Sequence, residues 1–344
     1  FARPAGRTHE PRNRDSDEDL VENGFCSRDN IQTFASALAR ATSNLSLDHS
    51  SDILKCLFNN TPQLAFQKLN IGGLYAAECA GLGALVRRCV SLKDLVISMY
   101  SFDNTLAEGL CNAFHLQSVH LENARKPRKI KPGNLIFADR LVGNDNSIVR
   151  QMISPQSQLK ELRLECVFLG GEAFFRFIEM LPTTQVHVLS LHDNVMGREE
   201  ILAFACQLPN IKCLKKVILS RNPWEGGPDP NYRSVSYEES ITALLEGMVG
   251  NYSIESLELT RSEPQLEFFT RSNWIRAQIS APSCSIPAGL WPGILEQIGT
   301  PKSWRHMGDL MSQKYKAADA LYFVLQNCPI LHSSRQTTFV SLSE

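Results

Sequence analysis

Imidazoles and thiols are the side chains in this chain whose chemistry reaches furthest, since either can bind a metal, pass a proton or attack a carbonyl. The sequence holds eight histidines and ten cysteines, but its spacing does not gather them. Cys26, Cys56, Cys79, Cys89, Cys111, Cys166, Cys206, Cys213, Cys284 and Cys328 stand singly in apolar segments. No CxxC pair and no Cys/His interval of the zinc type occurs. They read as reduced core thiols, which points to a reducing compartment. Pro209 separates Cys206 from Cys213, so a redox pair is not expected there. His187 and His192 flank one strand five residues apart and face opposite ways, so they cannot share a metal. His120 and His192 can face the same way, but no further ligand joins them. There is no GxGxxG, no GxxxxGK[ST], no HExxH and no GxSxG. The expectation is a protein that is not an enzyme, with no cofactor and no metal.

Composition narrows the class. Of 344 residues, 43% are hydrophobic and 21% charged, enough apolar side chain for a large buried core. The net charge of −1 gives no pull toward nucleic acid or an anionic membrane. No apolar run is long enough to span a bilayer. A protein partner is therefore expected, with no nucleic acid and no membrane, and a monomeric state. The compartment expected is the cytoplasm, with the nucleus as the alternative suggested by a basic run, RKPRKIK, at 125–131. Three N-x-S/T sequons, at Asn44, Asn59 and Asn251, are the number chance supplies. Residues 1–24 are polar and predict a disordered lead-in, and 333–344 a disordered tail. A start at Phe1 without Met suggests a fragment or a processed product.

The elements that would position any site come from a repeat. The pattern L-x-x-L-x-L recurs as LKDLVI, LQSVHL, LKELRL, VHVLSL, LKKVIL and IESLEL, with weaker copies around Leu69 and Leu45. Its middle anchors are Leu45, Leu69, Leu95, Val119, Leu162, Leu189, Val217 and Leu257. Their steps are 24, 26, 24, 43, 27, 28 and 40 residues, so two repeats carry insertions. Steps of this size with this pattern are the leucine-rich-repeat signature. Asn194 and Asn222 stand five residues after their middle anchors, where an amide inside the turn would bond the backbone of the next coil. Apolar residues at helical spacing predict helices over 31–41, 53–60, 106–114, 171–181, 198–208 and 237–249. A short strand followed by a full helix predicts an α/β leucine-rich-repeat solenoid, a horseshoe with a parallel concave sheet, convex helices and a helical C-terminal cap. The repeat domain is placed at 25–262, with insertions near 125–158 and 223–234, and the cap at 263–332.

The repeat class resembles ribonuclease-inhibitor-like leucine-rich-repeat proteins. The C-terminal motifs FFTRSNWIR, PAGLWPGILEQI and ALYFVLQNCPIL are similar to those of diatom leucine-rich-repeat proteins of unknown function. That resemblance covers roughly the last 160 residues and brings no activity with it. Trp274 departs from the group's pattern, which has Arg at that place.

Within each copy the anchors point inward and the residues between them outward. The outward set includes Asp94, His120, Glu122, Glu161, Arg163, Glu165, Ser190, His192, Lys216 and Glu258, a mixed and mildly acidic strip. Trp224, in the second insertion, is expected at its rim as an interface anchor, with packing against the solenoid edge as the alternative. The leading expectation is a protein-interaction scaffold that binds through this strip. A GTPase-activating regulator using Arg221 and Asn222 is one alternative. A substrate-recognition subunit for ubiquitin ligation is another, and the lack of an F-box-like helical cluster in residues 1–60 counts against it.

Overall fold

A computed structural model describes residues 43–48, 66–100, 104–124, 156–225 and 235–280, together with positions 33, 149 and 152–154. The chain runs β1 (Asn44–Asp48), β2 (Lys68–Leu74), α1 (Ala76–Arg88), β3 (Asp94–Met99), α2 (Asn104–Cys111), β4 (Ser118–Asn123) and β5 (Glu161–Glu165). It continues through α3 (Gly171–Met180), β6 (Val188–Ser190), α4 (Arg198–Gln207), β7 (Lys216–Ile218), α5 (Val235–Val249), β8 (Ser256–Glu258) and α6 (Pro264–Ser280). The strands form one parallel sheet in chain order, β1 to β8. Parallel neighbours in chain order require the chain to return to the same end of the sheet each time, and α1 to α5 lie in those returns where the connection is described.

The register follows from the repeat. Leu45, Leu69, Leu95, Val119, Leu162, Leu189, Val217 and Leu257 pair in a single row across the sheet. All but Leu257 are buried, together with the first anchors Phe66, Leu92, Leu116, Leu159, Val186, Leu214 and Ile254. A one-residue slip would turn every anchor to water, so the apolar pattern fixes the pairing. The backbone repeats the same step at the strand starts. The carbonyl of Gln67 accepts the N–H groups of Lys93 and Asp94, and that of Lys93 accepts those of Gln117 and Ser118. The series continues through Gln117, Lys160, His187 and Lys215, so the 43-residue step does not interrupt it. Across that step β4 and β5 remain paired, Val119 to Leu162.

Helices α3 and α4 start where the apolar spacing predicts them, and α2 and α5 each begin two residues earlier than their predicted segments. Helix α1 was not predicted. Its sequence, AAECAGLGALVRR, is rich in small residues that blur the apolar stripe. Those residues carry the packing. A Cβ on Gly109 of α2 would lie 2.3 Å from the Gly83 Cα of α1, so the two helices meet backbone to backbone. Residues 264–280 form the helix α6, where the end of the strand motif at Leu259 gave no element.

The predicted lead-in, the helices over 31–41 and 53–60, the basic run 125–131, residues 226–234, the LWP and LYF segments and the tail lie outside the described residues. Among the described residues no helix is long and apolar enough to cross a membrane.

Candidate binding face

Alternation places one set of strand residues on the sheet face turned away from the helices. In register, Asp94, Ser118, Glu161, Val188, Lys216 and Ser256 make one row across it. Val96, His120, Arg163, Ser190, Ile218 and Glu258 make the next. Ser98, Glu122 and Glu165 begin a third. The sequence-predicted strand residues thus share one face, and Asp94, His120, Glu122, Glu161, Arg163, Glu165 and Lys216 are half-buried there, as is His192 just past β6, with Glu258 exposed.

Glu165 is the centre of this face. Its Oε1 accepts the Ser190 hydroxyl at 2.7 Å. Its Oε2 lies 3.3 Å from His120 Nε2. Arg163 bridges Glu161 at 2.5 Å and Glu165 at 4.0 Å. Burial pushes the Glu165 carboxyl up, but the close His120 ring, the Ser190 hydroxyl and the charge of His192 outweigh it and hold the group at about 2. Further along, His192 Nδ1 and Ser220 Oγ are 2.8 Å apart, and Lys216 pairs with Glu258 at 2.5 Å.

This geometry does not make Ser190 a nucleophile. The carboxylate sits between hydroxyl and ring, whereas activation needs the imidazole between hydroxyl and acid. Ser190 is also fully buried, so the expectation that it contacts a partner is corrected: it holds Glu165 in place. Among the described residues, no three His, Cys, Asp or Glu come together as a metal site.

Trp224 is the second correction. It is 2% exposed and stacks on Tyr237 of α5 with centroids 5.9 Å apart and planes 9° apart. A short 3-10 turn, Pro223–Glu225, tucks the indole under α5, where it is core rather than rim. Asn222 is likewise committed to structure. Its amide donates to the Leu191 and Leu219 carbonyls, and its oxygen accepts from Asn194 and Met196, so it has no group free for a nucleotide. Arg221 is exposed, with a left-handed backbone (φ 62°) set by the turn.

Two features escaped the sequence reading. Tyr75 and Tyr100 directly follow β2 and β3, and their rings lie 4.8 Å apart at 32°. The irregularity in β2 between Ile71 and Leu74 puts Tyr75 four residues past its last anchor and Tyr100 three past its own, so aligning the motif does not show the pair. The other is Glu225. It accepts the N–H groups of Arg221 and Thr260, both at 2.7 Å, and the Thr260 hydroxyl. Ser262 stands where the next turn asparagine would, and beside it this buried carboxylate ties the turn after β7 to the end of β8.

No family model matches this chain, and no curated protein does. Among solved structures, actin-binding site 2 of leiomodin-1 aligns over 74% of this chain and 92% of its own length, with 8% identity and a TM-score of 0.27. A protein from Bacteroides fragilis aligns over 71% of this chain and 72% of its own, with 16% identity and a TM-score of 0.43. Likenesses this distant carry no argument about partner or activity.

Proposed function

We propose that the chain is a protein-interaction module of the ribonuclease-inhibitor-like leucine-rich-repeat kind, curved so that the charged sheet face is concave and receives the partner. The observation that carries this is the alignment of Asp94, His120, Glu122, Glu161, Arg163, Lys216 and Glu258 on one face that no helix covers among the described residues. Parallel sheets are ordinarily covered on both faces, so a second face lined by ionised side chains is adapted to water and to a polar partner. The partner is a polypeptide, and the module acts as a monomer in the cytoplasm or nucleus without catalysing a reaction. Solenoids use extended faces of this type to bind.

The test is affinity capture from the native cell with the whole chain, with Glu122→Lys/Arg163→Gln/Lys216→Glu, and with the helix-face control Arg176→Glu. A partner held by the control and lost from the triple variant, with both variants folded, supports the reading. Retention of every partner by the triple variant overturns it.

A further inference from the structure

We propose that the edge of the sheet where the strands begin is a seat for the chain's own acidic segment, residues 15–22, which lies along it and screens it from anionic partners in trans. This goes beyond the sheet-face reading and does not depend on it, since the edge is where the chain enters the strands and not the face the strands present. The backbone ladder builds the edge: each carbonyl accepts two N–H groups of the next repeat, through Ser43, Gln67, Lys93, Gln117, Lys160, His187 and Lys215 to Glu255. Three lysines and a histidine thus stand in a row that holds one carboxylate, at its far end. Lys68 follows Gln67, Arg87 and Arg88 close α1 at the same edge, and Lys212 precedes β7 there.

The described fold cancels little of this charge. Lys215 pairs with Glu255 at 3.2 Å. Lys160 donates to the neutral Gln185 amide oxygen at 2.9 Å. Neither the Lys68 nor the Lys93 side chain makes an ion pair or hydrogen bond among the described residues. Burial, then the charges of Lys160 and Lys215 on either side, lower the pKa of His187, and burial, then Lys93, lower that of His115. The lysine charge is therefore felt along the row. The complementary charge is in the same chain: residues 15–22, DSDEDLVE, carry Asp15, Asp17, Glu18, Asp19 and Glu22 and no base. Lys93 to Lys215 is four strand steps, roughly 19 Å, and an extended run of eight residues spans roughly 23 Å. Ser43 opens the ladder, so the chain ahead of it arrives at this edge. Residues 23–42 reach from roughly 30 Å if helical to roughly 66 Å if extended, and Lys215 is six strand steps, roughly 29 Å, from Ser43. A tethered segment meets its seat at an effective concentration near millimolar, so ion pairs that are each weak in water hold it together.

Carbodiimide cross-linking of the full chain with mass-spectrometric mapping tests the contact. Bonds from the carboxyls of residues 15–22 to Lys93, Lys160 or Lys215 are expected within the monomer, falling at least about fivefold in 1 M salt. Fluorescence anisotropy with the labelled peptide Asp-Ser-Asp-Glu-Asp-Leu-Val-Glu tests the screening. A chain with Asp15, Asp17, Glu18, Asp19 and Glu22 changed to their amides should bind the peptide about tenfold more tightly than the parent. Adding Lys93→Gln/Lys160→Gln/Lys215→Gln to that chain should abolish the gain. Changing Glu172, Glu179, Glu199, Glu238 and Glu246 on α3 to α5 to Gln shifts the net charge equally and should leave binding within about twofold of the parent. Absence of the cross-links, their persistence unchanged in 1 M salt, or equal peptide affinity of the parent and the amide chain overturns the proposal. Cross-links confined to a dimer would assign the acidic run to a second copy, and an oligothymidylate bound more tightly than the peptide by the amide chain would assign the edge to nucleic acid; either result overturns it.

Discussion

The Asn222 side-chain oxygen accepts the backbone N–H of Asn194 at 3.1 Å, and Asn194 holds the same place one repeat earlier. Asn194 in turn accepts from Val167 and Leu169 and donates to the Leu164 carbonyl at 2.7 Å. Each amide therefore closes a turn and fastens it to its neighbour. An amide suits this place because it offers donors and an acceptor on one short stem. Asn222→Ala would leave at least two buried N–H groups and two carbonyls without partners, at about 1–3 kcal/mol for a single orphaned group. We expect a loss of about 3 kcal/mol in urea unfolding. Asn222→Asp keeps the acceptor and loses the donors, and should fall between Ala and the parent. A change under about 0.5 kcal/mol for Asn222→Ala, the usual size for an inert surface site, would show that the ladder is decorative.

Glu165 gives the fold an acid-sensitive contact. Its carboxyl is held at about 2, against 4.5 ordinarily. A depressed carboxyl stabilises the folded state above its unfolded value, and that contribution is lost as pH falls from about 4.5 toward 2. After discounting for solvent screening it amounts to on the order of 2 kcal/mol. Glu165→Gln should lower the melting temperature at pH 7 and flatten its fall between these pH values. Parallel melting curves for the two proteins across that range would remove the role assigned to the carboxylate.

His187 has the opposite state preference at a different pH. Burial, then the charges of Lys160 and Lys215, lower its pKa from 6.5. The folded protein thus binds this proton less readily than the unfolded chain, so stability is complete above about 6.5 and declines as pH drops below it. Replacing His187 with Gln should remove that part of the decline while leaving the lower one, due to Glu165, in place. Thermal melts of the two proteins at pH 7.5 and 5.5 would separate these cases, and an identical pH 5.5 deficit in both would contradict the assignment.

The strand row was legible because its signal is local: three apolar anchors in six residues recur, and burial of each is set by its own parity. The turn amides of Asn194 and Asn222 were legible for the same reason. Helix α1 was not, because Gly83 and Gly109 act through the absence of a side chain, and an apolar pattern registers only side chains that are present. Trp224 misled for a related reason. Its polar, Pro- and Gly-rich surroundings indicate a loop but not which way the loop folds, and here it folds inward onto Tyr237. Tyr75 and Tyr100 lie four and three residues past the last anchors Ile71 and Ile97, beyond the stretch that the motif covers. Asn251 was read as one of three chance sequons. It is buried, with its amide on the Leu208 and Ile211 carbonyls, and Asn273 of α6 repeats that bond pattern on Asn251 and Ile254.

The approach of α1 and α2 makes a steric prediction. An added Cβ at Gly109 meets the Gly83 Cα at 2.3 Å and its carbonyl oxygen at 2.5 Å, and neither can swing aside as a side chain would. Gly109→Ala should therefore cost about 1–3 kcal/mol despite the higher helix propensity of alanine. Gly171, at φ +57° with nothing within 4 Å of its Cβ position, is a control of another kind: Ala there strains only the backbone, by roughly 1 kcal/mol. A stabilised Gly109→Ala would mean that the helices lie further apart than described.

The thiols offer the sharpest contrast within one molecule. Cys111 is buried at the end of α2, and burial, then the Glu108 charge, push its pKa up to about 11. Only the thiolate attacks a disulfide or an alkylating agent, so at pH 7.5 Cys111 is almost wholly unreactive, both for lack of ionisation and for lack of access. Cys206, on α4, is exposed. Mass-spectrometric mapping after a short maleimide pulse on the folded chain should therefore find Cys206 modified and Cys111 untouched, with Cys111 labelling only once denaturant unfolds the protein. Because α2 packs through Gly109 against α1, the rate at which Cys111 labels in the native state also reports how often that helix pair opens. Gly109→Ala should raise the rate if the close contact is what keeps α2 shut. Equal labelling of Cys111 and Cys206 in the folded parent chain would place α2 outside the core.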